Sequence, residues 1–407
     1  MRVLLATMGS RGEVQPVVAL ALRLKEMGCG VRVCVSPDLC DWVAGWGIPA
    51  VPVGPRMRDS GWDLSTPAGR LRAAENAVAA QFAALPGAAR DCDVPVGCGA
   101  VLVAARSVAE LAGIGYAHAE FCPAALPCSR LAPAPWPGWP RETGDPDQLW
   151  AADARRWHEV WGPALNAHRV AAGLTPVLAV REHVLTEQPL LAADPLLAPG
   201  PPAADQTGAW LLPDERALPA DVESFIRAGE PPVYFRLGSY SGIDGTDAGV
   251  AMVAAVRATG RRAIISRGWA GLAGPGGAAD CLVIGEANHR VLFQQVAAVV
   301  HHGGAGTTST AARAGAPQVV LPQHYDQHYW AGRVEALGIG AEAPELRSLD
   351  VALGRALCPE TASRAREVAA EVRADGVRKA AQLVLTRSAQ VTWNKKFEAN
   401  TNVNTQT

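Results

Sequence analysis

The chain has 407 residues, 49% hydrophobic and 19% charged, with 37 Lys and Arg against 39 Asp and Glu. That length exceeds what one core usually fills, so two domains are expected, and the composition excludes a disordered chain. Charge is nearly balanced, leaving no basic excess for nucleic acid or an anionic membrane surface, and no apolar run is long enough to span a bilayer.

The nine cysteines are odd in number and contain no C-x-x-C pair. They read as reduced thiols rather than a disulfide frame or a zinc site. The residues after Met1 form a strand pattern rather than a basic stretch followed by an apolar signal core, so a cytoplasmic protein is expected.

Residues 2–6, RVLLA, are short, apolar and soon followed by glycine, as in a fully buried parallel strand. VQPVVALALRLKEMG (14–28) carries apolar residues at helical spacing and stops at Gly28 or Gly30. VRVCVS (31–36) reads as a second strand, DLCDWVAGWG (38–47) as a second helix and IPAVPVG (48–54) as a third strand. This alternation is the front half of a doubly wound α/β sheet. Between the first strand and helix lies Gly9-Ser10-Arg11-Gly12, followed at once by Glu13, without the G-x-G-x-x-G of a dinucleotide fold.

Regularity fades at 55–69 and at 123–146, where Pro, Gly, Arg and Trp accumulate. Such stretches suit either functional loops or solvated Pro-rich excursions. A denser Pro/Gly stretch at 196–219 marks a domain break. The opening pattern then repeats: PPVYFRLGSYSG (231–242) is strand followed by Gly-Ser loop, 249–260 a helix, and RRAIIS (261–266) and CLVIGE (281–286) further strands. The expected fold is α/β, with two facing doubly wound, Rossmann-like domains and a cleft between them. The boundaries expected are 1–205, a linker at 206–230, and 231–390. Residues 359–388 look helical, and this last helix can pack back on the first domain. The polar, Asn/Thr-rich residues 391–407 read as a disordered or appended tail.

The most informative stretch is 296–340. AAVVHH ends a strand at His301 and His302, GGAGTT is a small-residue turn, and STAARAG (309–315) is a helix stopped by Gly315. A strand, a glycine turn and a helix start together present free backbone N–H groups and a positive dipole end, which suits a diphosphate. Gly303, Gly304 and Gly306 allow close backbone approach, Thr307 adds a hydroxyl, and one histidine can donate to a phosphate oxygen. A plain helix cap with two core histidines would use the same residues. The following strand, QVVLP, leads into PQHYDQ, where Asp326 and Gln327 stand side by side as partners for vicinal hydroxyls. A sugar joined to a diphosphate needs both features at adjacent strand ends.

HHGGAGTT followed by this P-x-x-x-D-Q strand end resembles the donor signature of inverting, nucleotide-sugar-dependent glycosyltransferases with the GT-B fold. More closely, MRVLLATMGSRGEVQPVVALALRL, RRAIISRGWAGL and GEANHRVLFQQVAAVVHHGGAGTT resemble the glycosyltransferases of vancomycin- and teicoplanin-type glycopeptide antibiotic biosynthesis. The similarity runs from Met1 to about Leu385 and thins between 55 and 150.

The resemblance implies that the first domain binds the acceptor and the second the donor. It places His302 on the diphosphate with Gly303, Gly304, Gly306 and Thr307 around it, and Asp326 and Gln327 on sugar hydroxyls, with Tyr325 beside them in the donor site. Arg267 and Trp269 would flank the base, Trp269 by stacking, and Ser10, Arg11, Gly12 and Ser239 would add phosphate contacts. HHGGAGTT rather than HHGSAGTE favours UDP-glucose or UDP-N-acetylglucosamine as donor over a dTDP-aminosugar. No cofactor or metal is expected. The acceptor would be a glycopeptide aglycone, with Trp62, Trp136 and Trp139 on an apolar floor; a monomer is expected, with no nucleic-acid or integral membrane partner.

The chain departs from the family pattern twice. Glu13 stands where the family's general base is Asp, and a carboxylate in a first helical turn also simply favours the dipole. Arg236 stands where relatives carry Gly, and can either reach the diphosphate or crowd the donor. A dTDP-sugar transferase, a UDP-sugar epimerase and an inactive homologue remain the competing readings, with a nicotinamide oxidoreductase disfavoured by the missing fingerprint.

Overall fold

The computed structural model describes residues 1–387 apart from 61, 137–138, 140–141, 239–244, 270 and 276. Ser239 and the tail at 391–407 therefore lie outside the described residues. The chain divides into two compact units: one holds Met1–Ala193, Gly200–Leu212 and the residues from Asp375 on, the other Asp194–Pro199 and Pro213–Ala374.

The first unit contains β1 (Arg2–Ala6), α1 (Arg11–Glu26), β2 (Gly30–Val35), α2 (Cys40–Ala44), β3 (Ala50–Pro52), α3 (Pro67–Ala89) and β4 (Val94–Cys98). It continues with α4 (Ala105–Ala112), β5 (Ala117–Glu120), α5 (Pro146–Ala171), α6 (Val180–Leu185), β6 (Leu190–Leu191) and β7 (Asp205–Gln206). Its sheet is parallel throughout, in the order β3-β2-β1-β4-β5-β6-β7. Leu4, Ala6 and Met8 pack with Ala77, Leu85 and Leu102 on one face. Val14, Val17, Val18, Ala21 and Leu24 form the buried stripe of α1, which Ser10 caps by accepting from the Gly12 N–H at 3.4 Å.

The second unit contains α7 (Ala220–Arg227), β8 (Val233–Arg236), α8 (Gly245–Ala258), β9 (Ala263–Ser266), β10 (Cys281–Ile284), α9 (His289–Leu292) and β11 (Ala298–His301). Then come α10 (Ala305–Ala314), β12 (Gln318–Val320), α11 (Gln327–Ala336), β13 (Gly340–Glu342), α12 (Leu349–Ala356) and α13 (Pro359–Glu371). The sheet is again parallel, in the order β10-β9-β8-β11-β12-β13. Val233, Phe235, Ile265 and Val300 face one core, and Tyr234, Ile264 and Val299 the opposite one. Covering both faces with helices is why these strands read as unbroken apolar runs.

In each unit the strand order reverses once, between β1 and β4 and between β8 and β11. The carboxyl ends of strands at such a reversal form a crevice that suits ligands.

Three local expectations change. The 23-residue α3 and 26-residue α5 fill regions where no element had been placed, and each contains an internal proline, Pro86 and Pro163. Helix α10 begins at Ala305 rather than Ser309, with the hydroxyls of Thr308 and Thr310 donating to the carbonyls of Gly304 and Gly306 at 3.0 and 2.7 Å. The threonines thus occupy helix rather than turn by bonding one turn back. The long terminal helix breaks after Glu371 and resumes at 376–387 within the first unit, where Lys379 Nζ donates to the Gln206 carbonyl at 2.6 Å and Arg387 pairs with Asp205.

Candidate active site

Glu13 lies in the first turn of α1, but its carboxylate is turned toward the crevice between β1 and β4. Buried Thr7, just past β1, donates from Oγ1 to Glu13 Oε2 at 3.1 Å. A Cβ at Gly9 would lie 2.1 Å from Glu13 Cδ, and one at Gly99, just past β4, would lie 2.6 Å from Oε2. Gly99 also has φ +82°, a conformation that favours glycine. These two glycines leave the space that the longer carboxylate side chain fills. Arg11 instead stacks its guanidinium 3.6 Å over the Trp42 ring of α2, and Gly12 is exposed.

A buried polar chain beside this crevice was not anticipated from sequence. The Tyr116 hydroxyl lies 3.2 Å from His118 Nδ1, and His118 Nε2 lies 2.8 Å from Glu120 Oε1 at the end of β5. Burial raises the Cys98 thiol's pKa, and the Glu120 and Glu13 carboxylates add to the rise, which places both near the end of β4. The available signal was AHAE, titratable residues at alternate places in a short alanine strand.

The Pro/Trp-rich stretches are held down rather than solvated. Residues 131–136 are half-buried. Trp136 donates from Nε1 to Asp153 at 2.7 Å and stands edge-on to Trp157, while Trp150 Nε1 donates to the carbonyls of Cys128 and Leu131. The Arg70 guanidinium covers Trp139 at 3.7 Å and donates to the Leu64 and Ser65 carbonyls, so α3 ties the two stretches together. Trp62 is partly buried against the core of Leu4 and Leu102. All three predicted tryptophans thus help to anchor loops.

In the second unit the two histidines divide. His301 is fully buried: Nδ1 accepts from the Gly303 N–H at 3.1 Å and Nε2 bonds Gln318 Oε1 at 2.9 Å. Burial lowers its pKa to about 4, against the Gln318 bond, so it is a neutral pin that shapes the turn. The His302 ring lies between Gly238 and Gly304, where added Cβ atoms would come within 3.0 Å of it. Burial first, then His301 and Arg236, lower its pKa to about 3.

Gly303 has φ +93°, and a Cβ there would lie 2.9 Å from both the Gln327 carbonyl oxygen and Val320 Cγ1. That contact brings the turn against the loop of Tyr325, Asp326 and Gln327. Gln327 Oε1 accepts from the N–H groups of Gln323 and His324 at 2.8 and 3.1 Å, Asp326 Oδ2 accepts from Trp330 Nε1 at 3.1 Å, and Tyr325 is held at φ +51°. Arg267 and Trp269 follow β9, with the Arg267 N–H bonded to the Ile284 carbonyl at 3.0 Å. Arg236 ends β8 in register with His301. Its Nε and His302 Nδ1 are both buried without a hydrogen-bond partner among the described residues, although the His302 ring also bonds the Arg236 backbone, which opposes the fall in its pKa. The ring lies against Gly304, where no side chain caps the start of α10.

Elsewhere, Ser107 Oγ, His183 Nε2 and the Glu110 carboxylate mimic a nucleophilic triad, with separations of 3.2 Å and, from His183 Nδ1, 3.7 Å. Ser107 is fully buried, however, and Arg169 donates to its Oγ at 2.6 Å, so the cluster is a joint between α4, α5 and α6. Burial, then Arg106 and Arg169, lower the His183 pKa to about 3. Because the unfolded histidine binds protons near its ordinary pKa of about 6.5, this contribution is complete above that pH and is lost as pH falls toward the folded value. Thermal melts at pH 7.5 and 5 should show an acid penalty of about 2 kcal/mol from this residue. His183→Gln should reduce the penalty; an unchanged penalty would contradict the assignment.

A vancomycin aglycone glucosyltransferase of Amycolatopsis orientalis is 47% identical to the chain over 399 residues, covering 95% of this chain and 97% of the relative. The chain belongs to that glycopeptide-antibiotic glycosyltransferase family. Glycosyltransferase GtfE and a dTDP-epi-vancosaminyltransferase of the same organism are 46% and 42% identical, over 94% and 90% of this chain and 97% and 93% of theirs. Within this glycosyltransferase, residues 3–123 match the glycosyltransferase family 28 N-terminal domain. Residues 283–383 match the C-terminal domain of erythromycin biosynthesis protein CIII-like proteins. The fold is GT-B: the glycotransferase of kitacinnamycin aligns at TM-score 0.72 and 20% identity, covering 95% of this chain and 98% of that one. VinC in complex with dTDP aligns at 0.68 and 21%, covering 96% and 100%. No helix among the described residues is long and apolar enough to cross a membrane.

Proposed function

We propose that the enzyme transfers glucose or N-acetylglucosamine from a UDP-sugar to a hydroxyl of a glycopeptide-antibiotic aglycone, with inversion and without a metal ion. The observation that carries this reading is the pair of buried nitrogens Arg236 Nε and His302 Nδ1, without a hydrogen-bond partner among the described residues, with the His302 ring against the uncapped start of α10. Buried polar groups without partners are rare, and nitrogens beside a helix N-terminus suit an anion. A relative named for glucosyl transfer to the vancomycin aglycone and another named for a dTDP-sugar support these substrate classes.

In this reading the second unit holds the donor and the first the acceptor. The diphosphate takes His302 and the N–H groups of Gly304, Gly306 and Thr307. Asp326 and Gln327, already oriented by Trp330 and the loop backbone, receive sugar hydroxyls, and Trp269 lies against the base. Glu13 accepts the acceptor hydroxyl's proton as its oxygen attacks the anomeric carbon. The bond to the diphosphate breaks, and its electron pair leaves with UDP.

Mass spectrometry of an aglycone incubated with UDP-glucose, UDP-N-acetylglucosamine and dTDP-sugars, each with a chelator, tests the assignment. A mass gain of one hexose or N-acetylhexosamine with a UDP donor is expected. Gain with dTDP-sugars alone would favour the second reading, for which the dTDP-epi-vancosaminyltransferase relative is the supporting observation. Epimerised UDP-sugar without aglycone modification would overturn transfer.

A further inference from the structure

Arg236 is the last residue of β8, where the strand order reverses toward β11, and its backbone is in register with His301. Its guanidinium bonds the Tyr234 hydroxyl and lies with Nη1 3.5 Å from His289 Nε2, an atom itself 2.8 Å from that hydroxyl. Among the described residues no carboxylate pairs with it, and its Nε is buried without a partner. The side chain is half-buried, and its Nε is shut off from solvent without a hydrogen bond, a state that contact with an anion would complete. The crowding alternative requires all the side chain's polar atoms to be satisfied elsewhere; Tyr234 and His289 take part of the guanidinium, but its Nε stays without a partner among the described residues.

We propose that Arg236 is a catalytic residue, contacting the diphosphate of the donor and neutralising the charge that grows on it as it leaves. This rests on the donor reading above and deepens it. The anomeric carbon–oxygen bond breaks, its electron pair passes to the departing phosphate oxygen, and the acceptor's proton passes to Glu13. Arg236 exchanges no proton; it supplies fixed charge where charge develops. His302, kept neutral by burial and by the adjacent His301 and Arg236, supplies a hydrogen bond instead. One fixed charge and one neutral donor thus replace the neutralisation that a metal ion can provide.

Arg236→Gln and Arg236→Lys, compared with wild type, test this by calorimetric binding of UDP and of uridine and by kcat with saturating donor. Arg236→Gln should weaken UDP about 10- to 100-fold, leave uridine unchanged, and lower kcat about 10²- to 10³-fold. Arg236→Lys should retain most UDP affinity and part of kcat, because it keeps the charge but loses the planar fork. Equal losses for UDP and uridine in both variants would reduce Arg236 to a structural part. Unchanged UDP affinity and kcat in Arg236→Gln would overturn the proposal while wild-type UDP binding left the donor reading standing. Absence of UDP binding by wild type would instead overturn the donor reading.

Discussion

Glu13→Gln should lower kcat/KM by about 10²- to 10⁴-fold, the usual worth of a general base, while leaving the fold intact. Glutamine keeps the side chain's length and an oxygen to accept from Thr7, so the crevice between β1 and β4 stays filled. A helix-dipole role predicts the reverse: loss of charge in the first turn would cost about 0.3–1 kcal/mol of stability with little change in turnover. Parallel measurement of kcat/KM and Tm separates the two. Gly99→Ala gives an independent check. Its Cβ would meet Glu13 Oε2 at 2.6 Å in a backbone conformation alanine resists. It should displace the carboxylate and lower kcat/KM with Glu13 still present. A wild-type rate in Glu13→Gln would remove the base from the mechanism.

The second large effect is expected at Gly303. Alanine there has no room between the Gln327 carbonyl and Val320, and φ +93° adds backbone strain of about 1–3 kcal/mol. The turn must open away from the Asp326–Gln327 loop, separating the proposed diphosphate contacts from the proposed sugar contacts. A misplacement of about 1 Å can cost about 10²-fold in rate, so a loss of at least that size is expected, with raised donor KM and a lower Tm. Normal donor KM in a stable Gly303→Ala protein would mean that the turn does not position the donor. Gly306→Ala is the control, because a Cβ at Gly306 meets nothing within 4 Å; its effect on Tm should be small.

Much of this was legible because the dominant signals were local. RVLLA, VYF, AII and AVV are apolar on consecutive residues since helices cover both sheet faces, and that pattern with glycine stops is enough to place parallel strands. HHGGAGTT announced a strand end and a helix start. Its residue types alone leave the two histidines equivalent, and only the family resemblance favours His302 for the diphosphate; the structural role of His301 depends on Gln318, 17 residues away, and on the Gly303 N–H. Helices α3 and α5 escaped because their internal prolines and many alanines blur the apolar stripe. Pro86 and Pro163 are nonetheless accommodated there. The Trp136 and Trp139 partners lie on α3 and α5, so their anchoring was invisible for the same reason. Glu120 was missed because the alternation in AHAE is faint in so short a strand, and burial against His118 is what makes the carboxylate notable.

The reading of Glu13 as base and of Arg236, His302 and the start of α10 as the leaving-group site amounts to one statement: transfer is a single displacement at the anomeric carbon. The anomeric configuration of the glycosylated aglycone made from a UDP-α-hexose, measured by NMR, tests it most directly. The account predicts a β-linked product. An α-linked product would contradict it.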